Sequence, residues 1–398
     1  MKLLLINSFL HPRGGDTTLF FSEWAGWEAR GVEVIPFAMR HPDNIVSPWA
    51  ERFPVWRSPR AAATVPERVR AMVRATWNVE ATGALRRLIR DVRPDAAHAH
   101  HVHRHLTPAI FPVLRAAGVR SAWTLHDHEL VCPNGLRYTG GQPCFRCQGG
   151  HYAAAVTHRC KDDSTPASLA VAVEKAIHRG LRRHLSPDVY IAPSAALLDG
   201  LSVDGLPSAR CAHLPNLVEV DAAPGEHGAN VIFAGRLTAE KGILVLAGLA
   251  RAMPLVRFDV YGDGPAKPAL LGLPNVRLWG ARPRAEVHTA LATAGAVVLP
   301  SLWPENQPYA LLESQLLGRA VIASAVGGVP EIVKPEVDGL LVVPGDVGEL
   351  AAAVARCLGD KALAGRLGQA GRARVLANHG ADRWFFRMGA LLGIGSAA

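Results

Sequence analysis

Ala296-Val297-Val298-Leu299-Pro300, followed by Pro304-Glu305-Asn306-Gln307-Pro308-Tyr309-Ala310-Leu311-Leu312-Glu313, reads as a fully apolar strand that passes through a proline-bounded loop into a helix. A strand apolar on both faces belongs in a parallel sheet covered by helices on each side, so this stretch sets an α/β fold. Its loop also has chemistry. Glu305 lies before the helix and Glu313 more than one turn inside it, so the two carboxylates can reach one pocket from different depths. A carboxylate accepts two hydrogen bonds from a vicinal diol, and the amides of a helix N-terminus suit a phosphate. One glutamate per sugar ring is the simplest use of the pair, although two solvated carboxylates would look the same in isolation.

Upstream, the strand Asn230-Val231-Ile232-Phe233 leads through Ala234-Gly235-Arg236-Leu237-Thr238-Ala239-Glu240-Lys241-Gly242 into another apolar helix. The ends of parallel strands are where open α/β sheets bind ligands, and Arg236 and Lys241 there can neutralise a diphosphate without a metal ion. Strand and helix patterns alternate along the whole chain. Strands are expected near 3–8, 32–38, 96–101, 121–126 and 189–193, with helical patterns at 65–92 and 169–184. A second series follows at 230–234, 257–262, 276–279, 296–299, 320–323 and 340–343. Two doubly wound sheets result. The boundary is expected between 194 and 228, where Pro207, Pro215, Pro224 and Gly225 should interrupt any regular element.

In order and spacing these pieces resemble the retaining glycosyltransferases of family 4, which have the two-domain GT-B fold. The resemblance runs through Gly14-Gly15, Thr124-Leu125-His126-Asp127, Pro193-Ser194, Leu214-Pro215-Asn216-Leu217-Val218, Gly235-Arg236 with Lys241-Gly242, and Tyr261-Gly262-Asp263-Gly264-Pro265. It continues through Glu305 and Glu313 to Gly327-Gly328-Val329-Pro330-Glu331. It implies two Rossmann-like domains facing across a cleft: residues 1–200 for the acceptor and 201–380 for a nucleotide-sugar donor. A terminal helix within 381–398 would pack back on the first. It also implies a hexosyltransferase that moves sugar from a nucleotide diphosphate sugar, UDP first and GDP next, to a glycan, lipid-linked or small-molecule hydroxyl.

The catalytic residues implied are His126, Arg236, Lys241 and Glu305. The donor set is Gly14, Gly15, Arg236, Lys241, Gly262, Arg282, Glu305, Asn306, Gln307, Pro308, Tyr309, Ala310, Leu311 and Glu313. Within that set the resemblance gives Glu313 the ribose, Glu305 the donor sugar and the loop of Arg282 the base. No cofactor is implied for catalysis. Many relatives have glycines and a phenylalanine where this chain has Asn306-Gln307-Pro308-Tyr309, which bears on the identity of the donor sugar and leaves the transferase class intact. A non-catalytic sugar-nucleotide-binding subunit or an epimerase on the same fold are the alternatives.

Read as residues, Gly14-Gly15 could equally be a plain surface turn, and His126 a structural histidine. His98, His100, His101 and His103 invite a metal. Their alternating spacing is expected to scatter them over both faces, which favours structural roles, with His100 nearest the cleft edge. Cys132, Cys144, Cys147 and Cys160 lie in a glycine-rich insert where thiolates could hold a structural zinc ion. Disulfides and free thiols are the other readings. Cys211 and Cys357 are expected to be unpaired and buried.

The 398-residue chain is 49% hydrophobic and 19% charged, a globular composition with room for two cores. No run of about 18 uncharged apolar residues is present, and Met1-Lys2-Leu3-Leu4-Leu5-Ile6-Asn7 reads as a first strand rather than a signal peptide. A cytoplasmic protein is expected. Residues 1–195 hold 25 Lys and Arg against 16 Asp and Glu, whereas 196–398 hold 18 of each, so the whole net charge of +9 lies in the first half. Arg52, Arg57, Arg60, Arg68, Arg70, Arg74, Arg86, Arg87, Arg90 and Arg93, with Trp56 and Trp77 among them, could rest on an anionic membrane surface or form a solvated face. Nucleic acid is not expected, because no recognition module accompanies the charge.

Overall fold

A computed structural model describes residues 1–12, 14–57, 64–182 and 184–394; Arg60 and residues 395–398 of the expected terminal helix lie outside them. The chain divides into two compact units. The first comprises Met1–Leu136, Phe145–Leu217 and the segment from Ala381, and the second comprises Arg137–Cys144 and Val218–Gly380.

The first unit is built on six parallel strands, β1 (Lys2–Ile6), β2 (Glu33–Phe37), β3 (Ala96–Ala99), β4 (Arg120–Thr124), β7 (Val189–Ala192) and β8 (Cys211–His213), in the order β2-β1-β3-β4-β7-β8. Leu3, Leu4, Leu5 and Ile6 of β1 have no exposed surface, as a central parallel strand with helices on both faces requires. The helix Ala381–Leu392 packs on this unit: Phe385 meets the Trp27 ring edge-on at 4.8 Å, and Arg120 Nε donates to the Leu391 carbonyl at 2.9 Å.

Two sequence expectations are corrected here. The helical pattern 65–92 is two helices, Val65–Thr76 and Val79–Val92, because Asn78 takes an extended conformation and its side chain accepts the Ala81 amide at 3.0 Å. A side chain that satisfies a first-turn amide starts a new helix there, whatever the apolar period says. The stretch 194–228 is also not free of regular structure. Ser194 caps the helix Ala195–Val203 by accepting from the Leu197 amide at 3.2 Å, and β8 follows.

The insert contains the two-stranded hairpin β5 (Tyr138–Thr139) and β6 (Gln142–Pro143), which groups with the second unit. That unit's sheet is also parallel, β9 (Val231–Ala234), β10 (Phe258–Tyr261), β11 (Val276–Gly280), β12 (Ala296–Leu299), β13 (Val321–Ser324) and β14 (Leu340–Val342), ordered β11-β10-β9-β12-β13-β14. Its faces carry separate apolar cores, one around Phe233, Val260 and Leu246, the other around Ile232, Val297 and Leu312. Among the described residues, no helix is long and apolar enough to cross a membrane.

Candidate active site

In the second unit the expected donor residues gather at the C-terminal ends of β9 and β12. Beyond β9, Gly235 donates to the Tyr261 carbonyl at 2.9 Å and Leu237 to the Asp263 carbonyl at 2.9 Å, so two strand-end loops are laced together. Gly262 is required at their crossing. Its φ is +130°, and a Cβ there would sit 1.9 Å from the Gly235 oxygen. Arg236 projects from this loop with its side chain 60% exposed, its nearest carboxylate being Glu240 at 3.8 Å.

Lys241 is held quite differently. Its Nζ donates to Glu305 Oε1 at 2.7 Å and lies 5.2 Å from the centre of the Trp303 ring. Ser301 Oγ donates to the same glutamate oxygen at 2.6 Å, and the Glu305 residue is only 3% exposed. The Glu305 backbone is fixed as well: its carbonyl accepts the Gly328 amide at 2.8 Å, and Gly327, at φ +52°, passes so close that a Cβ would stand 2.2 Å from that carbonyl. The helix Tyr309–Leu316 begins just beyond, and no side chain caps it. Its first amides therefore lie beside a buried ion pair, a place where an anion is favoured. Asn306, Pro308 and Leu311 are buried here, and Gln307, Tyr309 and Ala310 half-buried.

Glu313, one turn on, accepts from Arg284 Nε at 2.9 Å, with His288 Nε2 at 3.3 Å from the same oxygen. The Asp221 amide donates to His288 Nδ1 at 3.1 Å, which turns Nε2 towards Glu313. Sequence reading missed Arg284 and His288. Both lie on the helix Arg284–Leu291, and its i, i+4 spacing was the available signal. Arg282, expected near the base, is exposed and donates to the Trp279 carbonyl at 3.0 Å.

In the first unit, Gly14 precedes the helix Gly15–Glu28, and Gly15 is its first residue rather than part of a loop. Both are exposed, and Thr17 Oγ1 donates to the Gly14 carbonyl at 2.8 Å. His126 follows β4, half-buried, and its Nε2 lies 3.0 Å from His100 Nδ1. Burial and the neighbouring His100 push its pKa well below the ordinary imidazole value, so the ring is neutral. The next residue, Asp127, is raised to about 6 by burial and by the adjacent Glu129 carboxylate, itself paired with Arg104 at 2.8 Å.

The four histidines do divide between two places: Glu23 takes His98 Nδ1 at 2.8 Å and His100 Nε2 at 2.9 Å, whereas His101 Nε2 lies 3.3 Å from Glu129. Residues two apart on a strand share a face, so the alternation itself brings His98 and His100 together. Glu23, His98 and His100 form one of three groups of metal-capable side chains among the described residues; His11, His41 and Asp43 form a second, and His101, Asp127 and Glu129 a third.

Of the insert cysteines, Cys132, Cys147 and Cys160 group with the first unit and Cys144 with the second, and Cys132 Sγ lies 2.9 Å from Asn134 Oδ1. Cys211 is half-buried rather than buried, whereas Cys357 is buried and its thiol is pushed up to about 11 by desolvation.

Residues 228–360, which include Arg236, Lys241, Gly262, Glu305 and Glu313, match the family model described as glycosyl transferases group 1. The matched residues lie within the second unit. Over 150 residues, 35% of this chain and 38% of the relative, the match to 2-deoxystreptamine glucosyltransferase of Streptomyces kanamyceticus is 35% identical. The chain spans well under half the length of the curated relatives it matches, from 18% for an exopolysaccharide phosphotransferase of Streptomyces coelicolor to 41% for a sulfoquinovosyl transferase of Arabidopsis thaliana.

Solved structures extend the fold likeness beyond the matched residues. Sucrose-phosphate synthase from Thermosynechococcus elongatus superposes with a TM-score of 0.72 at 22% identity, covering 98% of each chain. Anabaena HepE in complex with UDP does so with a TM-score of 0.65 at 18% identity, covering 99% of this chain and 100% of that one. The fold is GT-B, with two Rossmann-like domains.

Proposed function

We propose that the protein is a retaining hexosyltransferase of the family 4 type. It would take a hexosyl group from a nucleotide diphosphate sugar, UDP first and GDP next, and transfer it to a hydroxyl of a glycan, lipid-linked or small-molecule acceptor. The observation that carries this reading is the buried Lys241–Glu305 pair beside an uncapped helix start, with the exposed Arg236 on the adjoining strand end. A diphosphate arriving there meets two cations and the helix amides, and Glu305 is free to turn its second oxygen to a sugar hydroxyl. Glu313, braced by Arg284, has the same acceptor chemistry to offer a ribose. The UDP bound to HepE supports uridine as first choice.

In the reaction the bond from the anomeric carbon to the diphosphate breaks, and the acceptor oxygen bonds to that carbon on the same face. The acceptor proton passes to the departing phosphate. Arg236, Lys241 and the helix amides stabilise the charge that develops on the leaving group, which is the main catalytic contribution. The insert with Cys132, Cys144, Cys147 and Cys160 is proposed to hold one structural zinc ion, a tetrahedral thiolate site with no part in the chemistry. Elemental analysis of metal-replete protein should give about one zinc per chain, and finding none would remove that element of the reading.

Titration calorimetry with uridine, guanosine and adenosine diphosphates tests the donor site before any acceptor is known. One nucleotide should bind tightly to the wild type and at least tenfold more weakly to Arg236→Ala, the loss of one charge-assisted contact. No binding of any nucleotide would overturn the transferase reading.

A further inference from the structure

Glu23 lies on the helix Gly15–Glu28 of the first unit, outside the residues that the transferase reading uses, and it has no surface exposure at all. Its carboxylate is surrounded by donors. Trp27 Nε1 donates to Oε1 at 3.0 Å, His98 Nδ1 lies 2.8 Å from each oxygen, and His100 Nε2 lies 2.9 Å from Oε2. Trp27 can only donate, so the carboxylate must accept there; although burial alone would raise its pKa, the charge and hydrogen bonds of His98 and His100 hold it down at about 2, and it is ionised at neutral pH. An ionised carboxylate accepts at every position. In their neutral forms His98 therefore has its proton on Nδ1 and receives Thr124 Oγ1–H on Nε2 at 2.8 Å, while His100 has its proton on Nε2.

Tautomers propagate along such a chain. In its neutral form, with the proton on Nε2, His100 has only a lone pair at Nδ1, and His126 Nε2 stands 3.0 Å from that lone pair. His126 must then be the donor, which leaves a lone pair on its own Nδ1. Among the described residues Nδ1 has no hydrogen-bond partner.

We infer that Glu23 is a positioning residue: acting through His100, it fixes His126 as the Nε2–H tautomer, so that Nδ1 presents a hydrogen-bond acceptor to a substrate hydroxyl. Without Glu23 the His100–His126 pair could reverse its proton order at little cost, and His126 would then present a donor. A sugar or acceptor hydroxyl can rotate to suit either, but its oxygen approaches a donor and an acceptor with different geometry. The proton order follows from the first unit alone. Its catalytic consequence rests on the transferase reading.

Long-range 15N–1H correlation spectra of the full chain labelled in histidine read the tautomer directly, with His126→Asn identifying the signals. The wild type is expected to show His126 as Nε2–H. Glu23→Gln keeps the shape and makes a sharp prediction. Its amide oxygen must face Trp27, which puts the NH2 group opposite His100 Nε2, and both His100 and His126 should invert to Nδ1–H. Nucleotide binding in the second unit should be unchanged in this variant, while turnover with any identified acceptor falls about tenfold or more. An Nδ1–H His126 in the wild type would overturn the inference, and so would a Glu23→Gln spectrum with His126 unaltered. If Glu23→Gln does not fold, the wild-type spectrum still decides. Normal tautomers with no nucleotide binding would sink the transferase reading and leave the proton order standing.

Discussion

In the second unit Glu305 is held by Lys241 and Glu313 by Arg284, each carboxylate by a cation, whereas in the first unit Glu23 is held by an indole and two imidazoles. The two arrangements suit different tasks. A cation paired with a carboxylate can be shared with an incoming anion, because the ligand offers the same kind of bond and the carboxylate is released towards hydroxyls. A carboxylate ringed by N–H donors at zero exposure has nothing to exchange. What it can do is set where protons sit, and the low dielectric around it makes that setting firm.

Breaking the second unit's pair should give the larger effect. Lys241→Met strips the cation from a glutamate that is 3% exposed, and loss of one partner of a buried pair costs about 4 kcal/mol. Denaturant unfolding should show that loss together with the loss of nucleotide diphosphate binding, and Lys241→Met combined with Glu305→Gln should recover most of the stability and none of the binding. Recovery of binding would mean that the pair is structural only.

A smaller effect is expected from pH in the first unit. Glu23 falls from 4.5 in the unfolded chain to about 2 in the fold, so it contributes stability above about pH 4.5 that is lost as pH falls towards 2. The shift corresponds to roughly 3 kcal/mol as an upper figure. Asp127 has the opposite sign: raised from 3.8 to about 6, it contributes stability below pH 3.8 that is lost as pH rises through 6. Circular dichroism against pH should therefore show the acid limb flattened in Glu23→Gln and the loss between pH 3.8 and 6 removed in Asp127→Asn. Identical pH profiles for the wild type and Glu23→Gln would show that the network does not hold its charge.

The strands and the donor loop were legible for one physical reason. Parallel strands with both faces covered are apolar runs, and Val297-Val298-Leu299 or Leu3-Leu4-Leu5 can be read without knowing their partners. The Glu305 and Glu313 positions were legible because loop and helix follow such a strand directly. Asn78 was overlooked because one polar residue can end a helix within a convincing apolar period. Ser194 and β8 are hard to read from sequence because Pro207, Pro215 and Pro224 surround them, while a single capping hydroxyl is enough to start the helix.

By itself, then, the sequence determined two parallel α/β units, the strand-end placement of Arg236, Lys241, Glu305 and Glu313, and the surplus of positive charge in the first half. Only the tertiary structure decided which charges meet. Lys241 finds Glu305 across 64 residues, and Glu23 finds His98 and His100 across 75 and 77. Such pairings depend on strand order and on which loops cross, and a local pattern of side chains contains neither.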